Sequence, residues 1–420
     1  MRLTRRGFLG AAGGLVAGTA LVGSGKRNPL NGARTASSAR EDAIPFYGRH
    51  QAGITTPPQR CSSFAAFDVT TDRRQDLAGL LQRWTSVAAN LCVGRTASPM
   101  RPSPDAVEPD SGAAIGLGPA RLTVNFGFGP SLFGVGAADR FGLRDKWPMA
   151  LVRLPRFDGD QLSAVGTGGD LTVHACADDP QVAFHAVRQL ARTAGEDASI
   201  RWAQTGFNEA QAAGGTPRDL LGFKDGTVNP TTAAELDEFV WVGDGQDQEW
   251  MRDGTFLVVR RIRVQLDLWD AQTLATQERV IGRHKASGAP LGRRSELDSL
   301  DLDRRGPAGH LIIPPDAHVR LASPAENWAQ MLLRRSYAYD NGASVPPAAS
   351  GEADAQAALD AGLFFCAYQQ NPRLAFIPIY TKLAGRDALR QFTTHTASAI
   401  AALPPGASGP GHWVGETLLG

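Results

Sequence analysis

The sequence predicts an α+β protein, a duplicated ferredoxin-like unit with antiparallel sheets, of the kind that builds dimeric α/β barrels. Two observations predict it. The first half runs strand, helix, two strands, helix, strand, which is the split β-α-β order. The second half repeats that order more loosely, so a pocket between sheet and helices is expected there.

In the first half, residues 62–69 read as a strand and residues 74–92 as an amphipathic helix. Residues 122–128 (LTVNFGF) and 171–177 (LTVHACA) read as further strands. Asp178-Asp179-Pro180 then supplies N-cap acids and a proline at a first helical position, opening a helix to about residue 194. Residues 200–208 close the set. In the second half, 256–267 alternates apolar and charged residues, 271–281 looks helical, 331–339 and 363–368 look like strands, and 375–392 looks like a helix. Segments 93–121 and 283–317 are loops rich in glycine, proline and charge. The expected division is a leader and linker at 1–39, one half at 40–215 and a second half, carrying the site, at 216–420.

Composition narrows the function. Hydrophobic residues make up 42% and charged residues 20%, a soluble globular profile. Lys+Arg at 43 nearly cancel Asp+Glu at 42, so the net charge of +1 gives no reason to expect nucleic acid or anionic lipid. Four cysteines, Cys61, Cys92, Cys176 and Cys366, stand far apart. Their spacing supports neither a zinc site nor a disulfide framework, and buried free thiols are expected.

At the N-terminus, Thr4-Arg5-Arg6-Gly7-Phe8-Leu9 precedes an uncharged Gly/Ala-rich stretch from Gly10 to Gly25. That arrangement reads as a twin-arginine export signal, removed somewhere between residues 20 and 39. An anchor helix is disfavoured because the apolar stretch is short and glycine-rich against the ~20 residues a bilayer needs. The route carries folded proteins, commonly with a cofactor already inserted. The expected destination is the periplasm or an extracellular, wall-associated space.

Four segments could carry chemistry. Leu221-Gly222-Phe223-Lys224-Asp225-Gly226-Thr227-Val228-Asn229-Pro230 combines turn dipeptides with two glycines. It reads either as a surface turn or as a loop lying on a cofactor face and presenting one carboxylate. Asp316-Ala317-His318-Val319-Arg320-Leu321-Ala322-Ser323-Pro324 holds a single histidine at a strand or loop edge, able to serve iron if its ring is held in orientation. Met331-Leu332-Leu333-Arg334-Arg335-Ser336-Tyr337 places a basic pair at a strand end. Asp360-Ala361-Gly362-Leu363-Phe364-Phe365 reads as core strand.

Taken together these segments resemble the dye-decolorizing haem peroxidases, and the T-x-N-P extension of the first resembles their exported, iron-associated branch. Phe46-Tyr47-Gly48-Arg49-His50-Gln51 and Gly282-Arg283-His284-Lys285 through Gly288-Ala289-Pro290-Leu291 extend the likeness, which spans about residues 43–405 in order. The resemblance implies one haem b per chain, with His318 as proximal iron ligand and Asp360 as acceptor for its second N–H. It implies that Asp225 moves a peroxide proton, that Arg334 stabilises the charge of O–O cleavage, and that the pH optimum is acidic. Further haem contacts are expected from Gly226, Thr227, Val228, Ser323, Pro324, Ala325, Leu363 and Phe365, with Arg283 at a propionate. Hydrogen peroxide and an organic donor are the expected partners, with Tyr337, Tyr339, Tyr368 and Trp328 as relays for bulky donors. The alternative is a haem-handling protein of an iron-uptake system, without significant peroxidase turnover. Ser323 stands where asparagine is commoner, and His284 where threonine is usual.

Three further patterns carry little. Gly127-Phe128-Gly129-Pro130 lacks the third glycine and an N–H that a dinucleotide loop needs. Gly243–Glu249 lacks calcium-loop spacing. His174 and Cys176 share one strand face, without further ligands for a metal.

Overall fold

The computed structural model describes residues 42–100, 105, 107–208, 216–344 and 358–420. The leader expected at 1–39 lies outside them. The first half is β1 (Cys61–Val69), α1 (Arg74–Cys92), β2 (Thr123–Phe128), β3 (Leu171–Ala177), α2 (Pro180–Ala194) and β4 (Ala198–Phe207). Asp179 caps α2 by accepting the N–H groups of Gln181 and Val182, and Pro180 follows at the first helical turn, as the sequence predicts. Strand β1 pairs antiparallel with β3 and β4, and β2 pairs with β3, giving the order β2-β3-β1-β4.

The second half opens with α3 (Ala233–Phe239), then β5 (Thr255–Val264), α4 (Leu266–Asp270), α5 (Leu274–Ile281) and α6 (His318–Ala322). It continues with β6 (Leu333–Arg334), β7 (Tyr337–Ser344), β8 (Ala358–Gln369), α7 (Phe376–Arg386) and β9 (Thr393–Leu403), and a short α8 (Glu416–Leu419) ends the chain. Strand β5 pairs with β8 and β9, and β7 pairs with β8, so the order β9-β5-β8-β7 repeats that of the first half. Strands β6 and β7 lie in one register along β8, with Leu333 opposite Tyr368 and Tyr337 opposite Phe364. The halves join at both edges: Phe128 pairs with Ala402 and Phe207 with Ala338. The result is a closed barrel, the α+β duplication expected from the sequence.

Alternation along the strands builds two cores. On β1, Phe64 and Ala66 point into the barrel, where they meet Trp202, Phe364 and Tyr368. Ala65 and Phe67 point outward against Leu77 and Trp84 of α1 and Leu190 of α2. Burial on both faces explains why β2 and β3 read as nearly continuous apolar runs.

Several expected elements are redrawn. The stretch 375–392 is not one helix: Asp387 is extended (φ −69°, ψ 127°), and a separate 3-10 turn spans Ala388–Phe392. The alternation at 256–267 ends at Val264 and passes into α4, while α5 begins at Leu274, capped by Thr273. Strand β9 was not anticipated, because its alanine-rich sequence has low intrinsic preference for a sheet. Of the strand-edge and loop-edge positions expected for His318, the strand edge is excluded: His318 is the first residue of α6, directly after extended Ala317.

Candidate functional site

A cavity of about 570 Å³ lies between the outer face of the second half's sheet, α6, α7 and the loop at 219–228. Its apolar walls include Ile262 and Val264 of β5, Leu363 and Phe365 of β8, and Ile379 and Leu383 of α7. Size and lining suit a largely apolar organic cofactor held by a few polar groups.

His318 enters this cavity with its ring fixed from behind. Its Nδ1 lies 2.6 Å from Oδ2 of Asp387. The other oxygen, Oδ1, accepts the Leu389 N–H at 2.8 Å and so caps the 3-10 turn. One buried carboxylate thus starts a helical turn and orients the histidine. A carboxylate can only accept, so the proton sits on Nδ1 and Nε2 keeps its lone pair in the cavity. Burial disfavours charge on the imidazole, but the Asp387 carboxylate outweighs it, and the His318 pKa is raised.

Asp360, expected as the partner of His318, does not reach it. It accepts from Asn341 Nδ2 at 3.0 Å and Tyr339 Oη at 3.4 Å, and lies 3.9 Å from Arg263. Strand parity is the reason. Leu363 and Phe365 face the cavity, so an even-numbered residue of the same strand falls on the opposite face. Asp387 was missed because it lay inside a run read as continuous helix. The available signal was Gly385-Arg386-Asp387-Ala388-Leu389, a breaker followed by a capping acid.

Asp225 and Arg334 meet in the cavity, with Arg334 Nη1 donating to Asp225 Oδ1 at 3.1 Å and Nη2 to the Val228 carbonyl at 3.3 Å. The Asn229 side chain clamps the strand beneath: its Nδ2 donates to the Arg334 carbonyl at 2.9 Å, and its Oδ1 accepts the Arg334 N–H at 3.1 Å. Asp219, also missed, folds the loop by accepting the N–H groups of Leu221 and Phe223 at 3.0 and 3.1 Å. Between them Gly222 sits at φ 84°, where an added Cβ would come within 2.6 Å of Lys285. Burial, and then the neighbouring Asp225 charge, push the Asp219 carboxyl up to about 7.

Gly226, Thr227, Val228, Ser323 and Pro324 line the same cavity, whereas Ala325 does not. Pro324 itself opens a short 3-10 segment, Pro324–Glu326. Arg283 also lines the cavity, and its Nη1 donates to the Gly288 and Glu296 carbonyls at 2.7 and 2.9 Å. The proposed surface relay is corrected for the tyrosines: Tyr337, Tyr339 and Tyr368 are wholly buried inside the barrel, while Trp328 is 79% exposed. All four cysteines are free; Cys92, Cys176 and Cys366 are buried, as expected, whereas Cys61 is half-buried.

This donor set fits haem: one oriented imidazole with an open Nε2, apolar walls, and the cations Arg283 and Arg334 in the lining. Residues 51–208 match the family model "Dyp-type peroxidase, N-terminal", and residues 216–408 match "Dyp-type peroxidase, C-terminal". Among curated proteins, the Deferrochelatase of Escherichia coli (strain K12) is 34% identical over 427 residues, covering 99% of this chain and 97% of that relative. Among solved structures, a DyP-type peroxidase from Streptomyces coelicolor has a TM-score of 0.81 at 38% identity, covering 93% of this chain and 99% of that one. Ferric DtpA from Streptomyces lividans has a TM-score of 0.80 at 39% identity, covering 93% and 99%. The chain belongs to the Dyp-type peroxidases, and is a haem-dependent enzyme that oxidises organic donors with hydrogen peroxide.

Proposed function

We propose that His318 is the ligand to the haem iron and that Asp225 and Arg334 act on peroxide in the same cavity. The observation that carries this reading is the pair of fixed geometries, His318 on Asp387 and Arg334 on Asp225, opening into one apolar space. Bound haem supplies the redox-active iron that accepts oxidising equivalents from peroxide and passes them to the donor. The chain's own residues do the rest. Asp387 holds the Nδ1 proton of His318 and keeps Nε2 a neutral donor. An Asp225 carboxylate oxygen takes the proton from one peroxide oxygen and returns it to the other. The Arg334 guanidinium, already tied to Asp225 and the Val228 carbonyl, stabilises the negative charge that grows as the O–O bond breaks. Arg283 supplies a cation for a propionate.

Replacing the ligand tests the reading. His318→Ala should purify without stable haem, read as loss of the Soret band at unchanged protein yield. Stoichiometric haem with an unaltered Soret band would remove His318 from this role.

We also propose that residues 1–39 direct export by the twin-arginine machinery, to the periplasm or the cell wall. The support is the Arg5-Arg6 pair ahead of its weakly apolar stretch. The curated relatives named Deferrochelatase favour a companion role in an iron-uptake system. Iron release that leaves intact porphyrin, measured on the loaded protein, separates that role from peroxidase turnover.

A further inference from the structure

The first half holds a groove of its own, at the place that corresponds to part of the haem cavity. In each half the last strand lies beside the first, β4 beside β1 and β9 beside β5, and a helix, α2 or α7, precedes it. In the second half, α7 and β9 contribute Tyr380 and His395 to the cavity wall. In the first half, the space between α2 and the outer face of β4 is an open groove. Ser63, Ala65 and Phe67 of β1 point outward, so their partners on β4, Thr205, Ala203 and Ile200, share that face. They stay open to solvent: Ile200 is 48% exposed, and Phe184, on the helix wall of the groove, is 52% exposed.

The lining carries one sign of charge. Arg188 and Arg192 of α2 and Arg261 of β5 line the groove, and no acidic residue does. None of the three has a carboxylate partner among the described residues. Arg261 Nε donates to Thr396 Oγ1 at 2.8 Å and Arg192 Nη2 to the Glu108 carbonyl at 2.8 Å, both uncharged acceptors. Arg188 makes no hydrogen bond or ion pair among the described residues. Beside these cations stand the apolar side chains of Phe184, Ala191, Ile200 and Ala203. A wholly apolar ligand would leave the guanidinium groups unused, and a small inorganic anion would leave the apolar walls wet. The lining contains no histidine, cysteine, methionine or tyrosine, so it offers a haem iron no axial ligand. What complements it is an organic anion without a metal.

We propose that this groove is a second small-molecule site, which binds an aromatic ring system carrying a sulfonate or carboxylate. The ring packs between Phe184 on the helix and Ile200 and Ala203 on the strand, removing exposed apolar surface from water. The acid group faces Arg188, with Arg192 and Arg261 adding to the positive field. No bond forms or breaks here, and the site stands independently of the roles proposed for His318, Asp225 and Arg334.

The test titrates a naphthalene sulfonate into the haem-loaded protein by calorimetry, with the main cavity already filled. One equivalent should bind, more weakly as salt is added, and the uncharged naphthalene methanol should bind less tightly. Arg188→Glu should weaken the sulfonate roughly fivefold or more, since it turns an attraction into a repulsion. Phe184→Ser should weaken both ligands. Both positions are exposed, so an unchanged unfolding temperature shows that the fold is intact. Arg294→Glu, the same change of charge on an exposed loop outside the groove, should leave binding as it was. Absence of saturable heat overturns the proposal, as does equal affinity in Arg188→Glu or an equal loss in Arg294→Glu. A shift of the Soret band on binding also overturns it, because the sulfonate then sits at the haem.

Discussion

In the proposed mechanism Asp225 and Arg334 divide the work on peroxide, and each is the other's hydrogen-bond partner. Arg334 is held by Asp225 and by the Asn229 clamp, so its guanidinium is preorganised before substrate arrives. Asp225→Ala and Arg334→Leu should both keep haem, since neither touches the imidazole, yet each should slow the reaction with peroxide. Removing one such group typically costs about 10²–10³-fold, or roughly 3–4 kcal/mol of barrier. Stopped-flow mixing with peroxide, following the Soret change, measures both. Wild-type rates in both variants would withdraw these roles, and slowing in only one would assign the work to that residue.

At the level of elements, Asp387 couples α7, the 3-10 turn after it and α6, because its two oxygens serve two masters. Asp387→Ala uncaps the turn and frees the imidazole, so haem should be lost to an apo-globin scavenger about 10–100-fold faster, with a shifted Soret maximum. Asp387→Asn, whose one oxygen can satisfy only one of the two N–H groups, should fall between. An unchanged transfer rate and spectrum in Asp387→Ala would deny the residue its positioning role. Much of this site was legible from the chain. Asp225, Gly226 and Asn229 announce themselves through turn chemistry, and His318 through its surrounding motif. What escaped was pairing across distance. The partner of His318 lies on a different element, hidden in an apparently unbroken helix, and Asp360 looked suitable only because its strand face could not be seen. Strand β9 escaped for the opposite reason: packing on both faces, rather than local preference, makes its alanines a strand.

For the molecule as a whole, the cavity takes most of its lining from the second half, with Asp158 and Gly159 from the first, and rests on a sheet that both halves complete. A route that moves folded, cofactor-loaded protein suits such an architecture. Replacing Arg5→Lys and Arg6→Lys together should hold the protein inside the cell with its leader uncleaved, measured by fractionation. Normal secretion of that double variant would mean the leader was misread. The two junctions that complete the ring, Phe128 with Ala402 and Phe207 with Ala338, have a further consequence. Each half, standing alone, would present two bare strand edges, the surface on which chains recruit one another into aggregates. Within one polypeptide each half therefore acts as the resident guardian of the other. A chain cut short after β4 would keep the same two edges open, and another copy of itself is the nearest object of the right shape to close them.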